Sequence, residues 1–229
     1  MRNAKPIFTR ETLRFFRDLA RNNKKVWMDA NRDRYQQFIV LPFRQLLEAL
    51  NPTVLELDSN FDTTGRSGAN FSRINRDIRF ARDKTPYRPQ MYLKYSQPLP
   101  GDAETGQLYV GISPEAVTAG FRIYSGSKRK QSALGLVAEP HVLARPQWPA
   151  QQKRRLARRY ESYWYTSEKK DWKKHSGWPA AAQDWKKLQG WIVRRKMKPA
   201  YALLPDFPQE VAKIFREVFP LLRFTSLAH

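Results

Sequence analysis

Apolar positions in the first fifty residues recur at steps of three and four. Leu13, Phe16, Leu19 and Ala20 do so, with Phe15 alongside, and that spacing lines one face of an α-helix. Thr9 suits the N-cap and Glu11 the electropositive first turn. Asn22-Asn23 closes the helix, because asparagine favours caps and turns. A second helical region begins near Lys24, with Val26, Trp27, Ala30, Tyr35, Phe38 and Ile39 toward one side. Pro42 interrupts or restarts it. Phe43, Leu46, Leu47 and Leu50 continue the period, and Asn51-Pro52 stops it. The chain is therefore expected to open with a helical hairpin or triplet.

Residues 58–70 are rich in Asp, Ser, Thr, Asn and Gly and read as a surface loop. Its Thr-Gly-Arg-Ser-Gly stretch lacks the spacing of a phosphate-cradling P-loop. Three runs rich in aromatic and β-branched residues follow, at 91–95, 107–112 and 116–124, and predict strands. Pro98, Pro100-Gly101 and Ser113-Pro114 punctuate them, and the short last gap predicts an antiparallel hairpin. Phe71 to Ile74 is a candidate further strand. Beyond Ser127 the pattern predicts helices again. These are a basic helix over Gln151 to Tyr165 and a last helix opened by Phe207-Pro208, with Val211, Ile214, Phe215 and Val218 on one face. Helices, then strands, then helices predict an α+β fold. Its mainly antiparallel sheet would carry the N-terminal hairpin and the C-terminal helices. The 229 residues are expected to form a single domain, with a helical hairpin plus sheet over 8–125 and a basic, Trp-rich helical part over 126–229.

Charge changes this picture more than composition does. Lys and Arg total 42 against 21 acids, a net charge of +21, and such a balance is the electrostatic footprint of a polyanion binder. The excess is uneven. Residues 151–229 carry 18 basic and 7 acidic residues, a larger excess per residue than the rest. There is no cysteine, so disulfides, thiolate metal sites and cysteine nucleophiles are excluded. No apolar run is long enough for a membrane span and no signal core follows Met1, so a cytoplasmic location is expected.

The densest chemistry lies between Asn70 and Arg88. Arg73, Arg76, Arg79, Arg82, Lys84 and Arg88 share this segment with Asp77 and Asp83. Arginines every third residue do not stay on one face of a strand, and Pro86 ends regular structure. The guanidinium fork suits phosphate and carboxylate. An Asp orients such an Arg, ligates a divalent metal or acts as a base. Lys84 beside Asp83 suits neutralising a developing negative charge. The run Arg76-Asp77-Ile78-Arg79-Phe80-Ala81-Arg82-Asp83-Lys84-Thr85-Pro86-Tyr87-Arg88 resembles the signature of an uncharacterised bacterial and fungal family, domain of unknown function 2461. The Leu13-Arg14-Phe15-Phe16 and Asn22-Asn23 pattern and the Tyr109-Val110-Gly111-Ile112-Ser113-Pro114 stretch fit that family too. The resemblance covers residues 8–220 and implies the α+β fold and a common functional surface, with no activity attached. The stretches around Gly120 and Pro199-Ala200-Tyr201 depart from the family pattern.

Residues 151–198 hold five tryptophans among 15 basic and 4 acidic residues. Basic residues interleaved with aromatics suit single-stranded nucleic acid, where cations meet phosphates and rings stack on bases. The competing reading makes the tryptophans core. Tyr160 and Trp164 then lie one helical turn apart, and Trp185, Leu188 and Ile192 form one helical stripe. Trp172 and Trp178 are the tryptophans expected outside. His141, His175 and His229 show no metal-ligating spacing, and no metal site or cofactor is expected.

The leading expectation is a binding module for nucleic acid or a phosphorylated ligand. Its anion-binding residues would be Arg73, Arg76, Arg79, Arg82, Lys84, Tyr87 and Arg88. Nucleic-acid contacts would come from Trp172, Lys173, Lys174, Trp178, Lys186, Lys187, Arg194 and Arg195. The first alternative is an enzyme acting on a phosphate-containing or other anionic substrate. There Asp77 and Asp83 serve as base or Mg²⁺ ligands, with Arg76, Arg79 and Lys84 stabilising charge. The second is a structural or interaction protein in which the motif is an ion-pair clamp. The oligomeric state is not readable.

Overall fold

A computed structural model describes residues 5–97, 106–124, 133–168 and 171–225. Pro98, Pro100-Gly101, Ser127 and His229 lie outside them. The fold is α+β around a six-stranded antiparallel sheet. Its strands are β1 (Met91–Tyr95), β2 (Gln107–Ile112), β3 (Val117–Tyr124), β4 (Glu161–Glu168), β5 (Asp171–Ser176) and β6 (Gly190–Met197), in the order β1-β2-β3-β6-β4-β5. The helices are α1 (Arg10–Arg21), α2 (Lys25–Ala30), α3 (Arg32–Tyr35), α4 (Leu41–Leu57), α5 (Ala133–Ala144), α6 (Trp148–Leu156), α7 (Ala182–Lys186) and α8 (Phe207–Thr225). A π-turn at Gln36–Val40 joins α3 to α4. No helix among the described residues is long and apolar enough to cross a membrane.

The chain divides into two compact units, neither continuous in sequence. The first comprises Met1–Tyr95, Val110–Thr118 and Met197–Lys213. Its centre is aromatic. Phe8 meets Phe43 and Phe207 edge-on at 5.2 and 5.9 Å, an arrangement the ring quadrupole favours. Phe15, Phe16 and Leu19 are fully buried on α1. Thr12 is buried among them because its hydroxyl is satisfied: it accepts the Thr9 N–H at 3.3 Å and donates to the Phe38 carbonyl at 2.9 Å.

The predicted core of the second helical region needs correction. Val26 is 80% exposed and Ala30 is exposed, while Met28 and Ile39 are buried. A helix that breaks twice within fifteen residues does not keep one continuous face. Nor does Asn51-Pro52 stop α4. The helix runs on to Leu57 with Pro52 inside it. Leu50 and Val54, on either side of the proline, are both fully buried, and that tertiary burial outweighs one lost N–H.

The second unit comprises Ser96–Tyr109, Ala119–Lys196 and Ile214–His229. Its core is indole-rich. Trp191 meets Trp185 at 5.1 Å and Phe121 at 5.7 Å, both nearly perpendicular, and donates its N–H to Ser162 Oγ at 3.0 Å. Trp148 stacks on Phe224 at 3.8 Å. Residues 151–165 are only half helical, a second correction. α6 ends at Leu156, and Glu161 begins β4. Ser162, Trp164 and Thr166 are buried while Tyr163 and Tyr165 are partly exposed, a period of two rather than 3.6. The Trp185-Leu188-Ile192 stripe is likewise no single helix: Trp185 lies on α7 and Ile192 on β6. The C-terminal part therefore contributes three strands as well as helices.

Candidate functional site

The charged signature forms one excursion of the chain closed at its base. Asn75 and Tyr87 pair as an antiparallel bridge, flanked by Arg76 N–H to Pro86 O and Arg88 N–H to Ile74 O, each 2.8 Å. Asn23, just beyond α1, fastens that base. Its amide donates to the Tyr87 carbonyl at 2.9 Å and its Oδ1 accepts the Tyr87 N–H at 3.0 Å. Tyr87 is itself buried.

Within the excursion each carboxylate serves its own arginine. Asp77 Oδ1 accepts the Arg79 N–H and Nε at 3.2 and 3.0 Å, and Oδ2 accepts Nη2 at 2.7 Å. Asp83 accepts the Thr85 N–H at 2.9 Å, the Thr85 hydroxyl at 3.0 Å and a guanidinium N–H of Arg76. Arg76 Nη1 also reaches the Thr85 carbonyl at 3.2 Å. Lys84 Nζ donates to the carbonyls of Ile78 at 3.0 Å and Arg79 at 3.5 Å. These donors stabilise the ionised carboxylates. The Thr85 N–H, then Arg76 and the Thr85 hydroxyl, hold Asp83 down to about 2. The Arg79 side chain and then its N–H hold Asp77 below the ordinary range.

The seven candidate anion-binding residues therefore separate. Arg76, Arg79 and Lys84 are committed inside the excursion, and Tyr87 is packed at its base. Arg73, Arg82 and Arg88 are exposed and make no ion pair among the described residues. At the tip, Phe80 is 96% exposed, with the Arg79 guanidinium 5.9 Å from its ring. Among the described residues no three His, Asp or Glu side chains converge as metal ligands.

The candidates from the Trp-rich segment also separate, because strands β4, β5 and β6 alternate their faces. Tyr165 pairs with Lys174, Ser167 with Trp172 and Glu161 with Arg194. Trp172, Lys174 and Arg194 thus share one face of the sheet with Tyr163 and Tyr165. Lys173 and Arg195 belong to the other face, where Trp164 stacks on His175 at 4.0 Å. Trp178 packs edge-on against Trp191 at 5.3 Å. Lys186 and Lys187 are exposed at the end of α7.

Several contributors escape a reading of the sequence. Asn70 is 1% exposed. Its side chain accepts the Gly65 N–H at 2.8 Å and donates to the carbonyls of Asp62 at 2.6 Å and Lys94 at 3.2 Å, stapling the 58–70 loop to β1. The positive φ angles of Gly65 and Gly68, 73° and 87°, are the turn signals that accompany it. Tyr124 was legible only as a strand former, and Tyr163 and Tyr165 fell in a stretch expected to be helical, although both share a face with Lys174 of β5. The signal for Phe80 was its place in a charged run, with Ile78 as the apolar residue at strand spacing and none at helical spacing.

Residues 11–224 match the model of a family described as a conserved hypothetical protein, DUF2461. No curated protein matches the chain.

Proposed function

The chain belongs to the DUF2461 family of conserved hypothetical proteins, and we propose that it is a binding module for phosphate-bearing polyanions, nucleic acid or another phosphorylated ligand. One observation carries the reading. The signature excursion neutralises its own carboxylates internally, while Arg82 within it and Arg73 and Arg88 just outside its base are exposed and make no ion pair among the described residues, on a chain of net charge +21. Bidentate forks held on a braced backbone are suited to phosphate oxygens. Arg76, Arg79 and Lys84 brace the backbone that carries Arg82. Phe80 adds a flat apolar surface at the tip.

The test is fluorescence anisotropy with labelled single-stranded DNA and with a polyphosphate, at about 50 and 200 mM salt. Affinity is expected to fall tenfold or more across that range, since each phosphate contact adds roughly 0.7–0.9 to the logarithmic salt slope. Replacing Arg82 and Arg88 by Ala lowers the slope by about one per arginine. Absence of binding to either probe at low salt overturns the reading.

A further inference from the structure

The second unit carries an open sheet face that the signature excursion does not explain. Tyr124 at the end of β3, Tyr165 on β4 and Trp172 on β5 form a triangle of rings with centroids 5.7–6.0 Å apart and tilts of 47°, 52° and 61°. Trp172 is 41% and Tyr124 39% exposed. Backbone room for the cluster comes from Gly190 on β6. A Cβ there would lie 2.7 Å from the Tyr124 ring and 3.3 Å from that of Trp172. Beside the triangle, Tyr163 carries Lys174 Nζ at 3.9 Å and the Arg194 guanidinium at 5.4 Å. Glu161, directly across from Arg194, is held by its Nε at 3.0 Å.

The geometry points to this face as a base-stacking platform for single-stranded nucleic acid. The inference rests on the polyanion reading above and narrows its ligand. None of the three pairs is stacked face to face, and with Trp172 41% and Tyr124 39% exposed part of each of these two rings is open to solvent. Aromatic platforms accept any base, because every base has a π-face, and adjacent cations follow the phosphates. Lys174 supplies such a cation within the same patch, and Arg194 beside it is paired with Glu161. A duplex keeps its bases inside the stack and offers this face only its backbone. A phosphate ligand without bases has nothing for Tyr124, Tyr165 or Trp172 to hold.

The test compares a short oligothymidylate, an abasic oligonucleotide of the same length and a duplex by anisotropy at about 50 mM salt. Oligothymidylate is expected to bind about tenfold tighter than the abasic strand, with quenching of tryptophan emission. Trp172→Ala and Tyr124→Ala are each expected to weaken oligothymidylate binding about fivefold, within that tenfold advantage, and to leave abasic binding unchanged. Far-UV circular dichroism checks that these exposed substitutions keep the fold, and Lys174→Glu, which keeps every ring, should weaken both single strands. Equal binding of oligothymidylate and abasic strand, unaffected by Trp172→Ala and Tyr124→Ala, overturns this inference and leaves the polyanion reading standing. Binding to none of the three probes overturns both.

Discussion

At the scale of single residues, Asp83 and Asn70 do comparable jobs in opposite environments. Asp83 is an exposed carboxylate with three donors, and its pKa is depressed from 3.8 to about 2. A depressed carboxylate stabilises the folded arrangement above its ordinary pKa and loses that contribution as pH falls through the folded value. The brace is therefore expected to hold unchanged at neutral pH and to loosen between about pH 4 and 2. Amide exchange at Thr85 is the readout, and constant protection through that window would contradict the assignment. Asn70 is buried, and removing its side chain leaves the buried Gly65 N–H without this acceptor and takes a donor from the Asp62 and Lys94 carbonyls. Each unsatisfied buried group costs about 1–3 kcal/mol, so Asn70→Ala should destabilise the protein by about 3 kcal/mol in denaturant unfolding. A loss below about 1 kcal/mol would mean that water takes over those bonds.

At the scale of elements, strands β1, β2 and β3 and helix α1 were legible because each shows one periodicity and a clear stop. β4 was not, for a specific reason. Tyr160 and Trp164 are four residues apart, and a step of four keeps one face in a helix and in a strand alike. Only the residues between decide, and Ser162 and Thr166 are polar although they lie on the buried side. Trp191 Nε1 makes Ser162 acceptable there, and His175 Nε2, 2.9 Å from Thr166 Oγ1, does the same for the threonine. Such partners lie on the paired strands β5 and β6 and leave no trace within β4 itself. The signature excursion was legible as a charged cluster, but its sorting into committed and free arginines depends on which carboxylate each guanidinium meets. Strand packing also yields a prediction at Gly120. A Cβ there would lie 2.1 Å from the Val193 carbonyl oxygen, backbone against backbone on neighbouring strands. Gly120→Ala should therefore cost about 2–3 kcal/mol or more by forcing β3 from β6, visible as a lowered thermal midpoint.

At the scale of the whole molecule, 42 basic against 21 acidic residues set up self-repulsion that compaction must overcome. Added salt screens it, so the thermal midpoint is expected to rise between about 20 and 300 mM sodium chloride. A bound polyanion should raise it further by mass action. A midpoint indifferent to both would mean that the charges are too dispersed to act collectively. The strand order has a consequence in time rather than in space. β6 lies between β3 and β4 but follows both in the chain. As the polypeptide leaves the ribosome, β4 and β5 can form their hairpin early, while the flanks that β3 and β4 will offer to β6 wait for Gly190–Met197. Unpaired edges of that kind recruit other chains. A chain ending at Gln189 is expected to aggregate where the full chain stays dispersed. The central strand is then the step at which synthesis of this protein is most exposed to error.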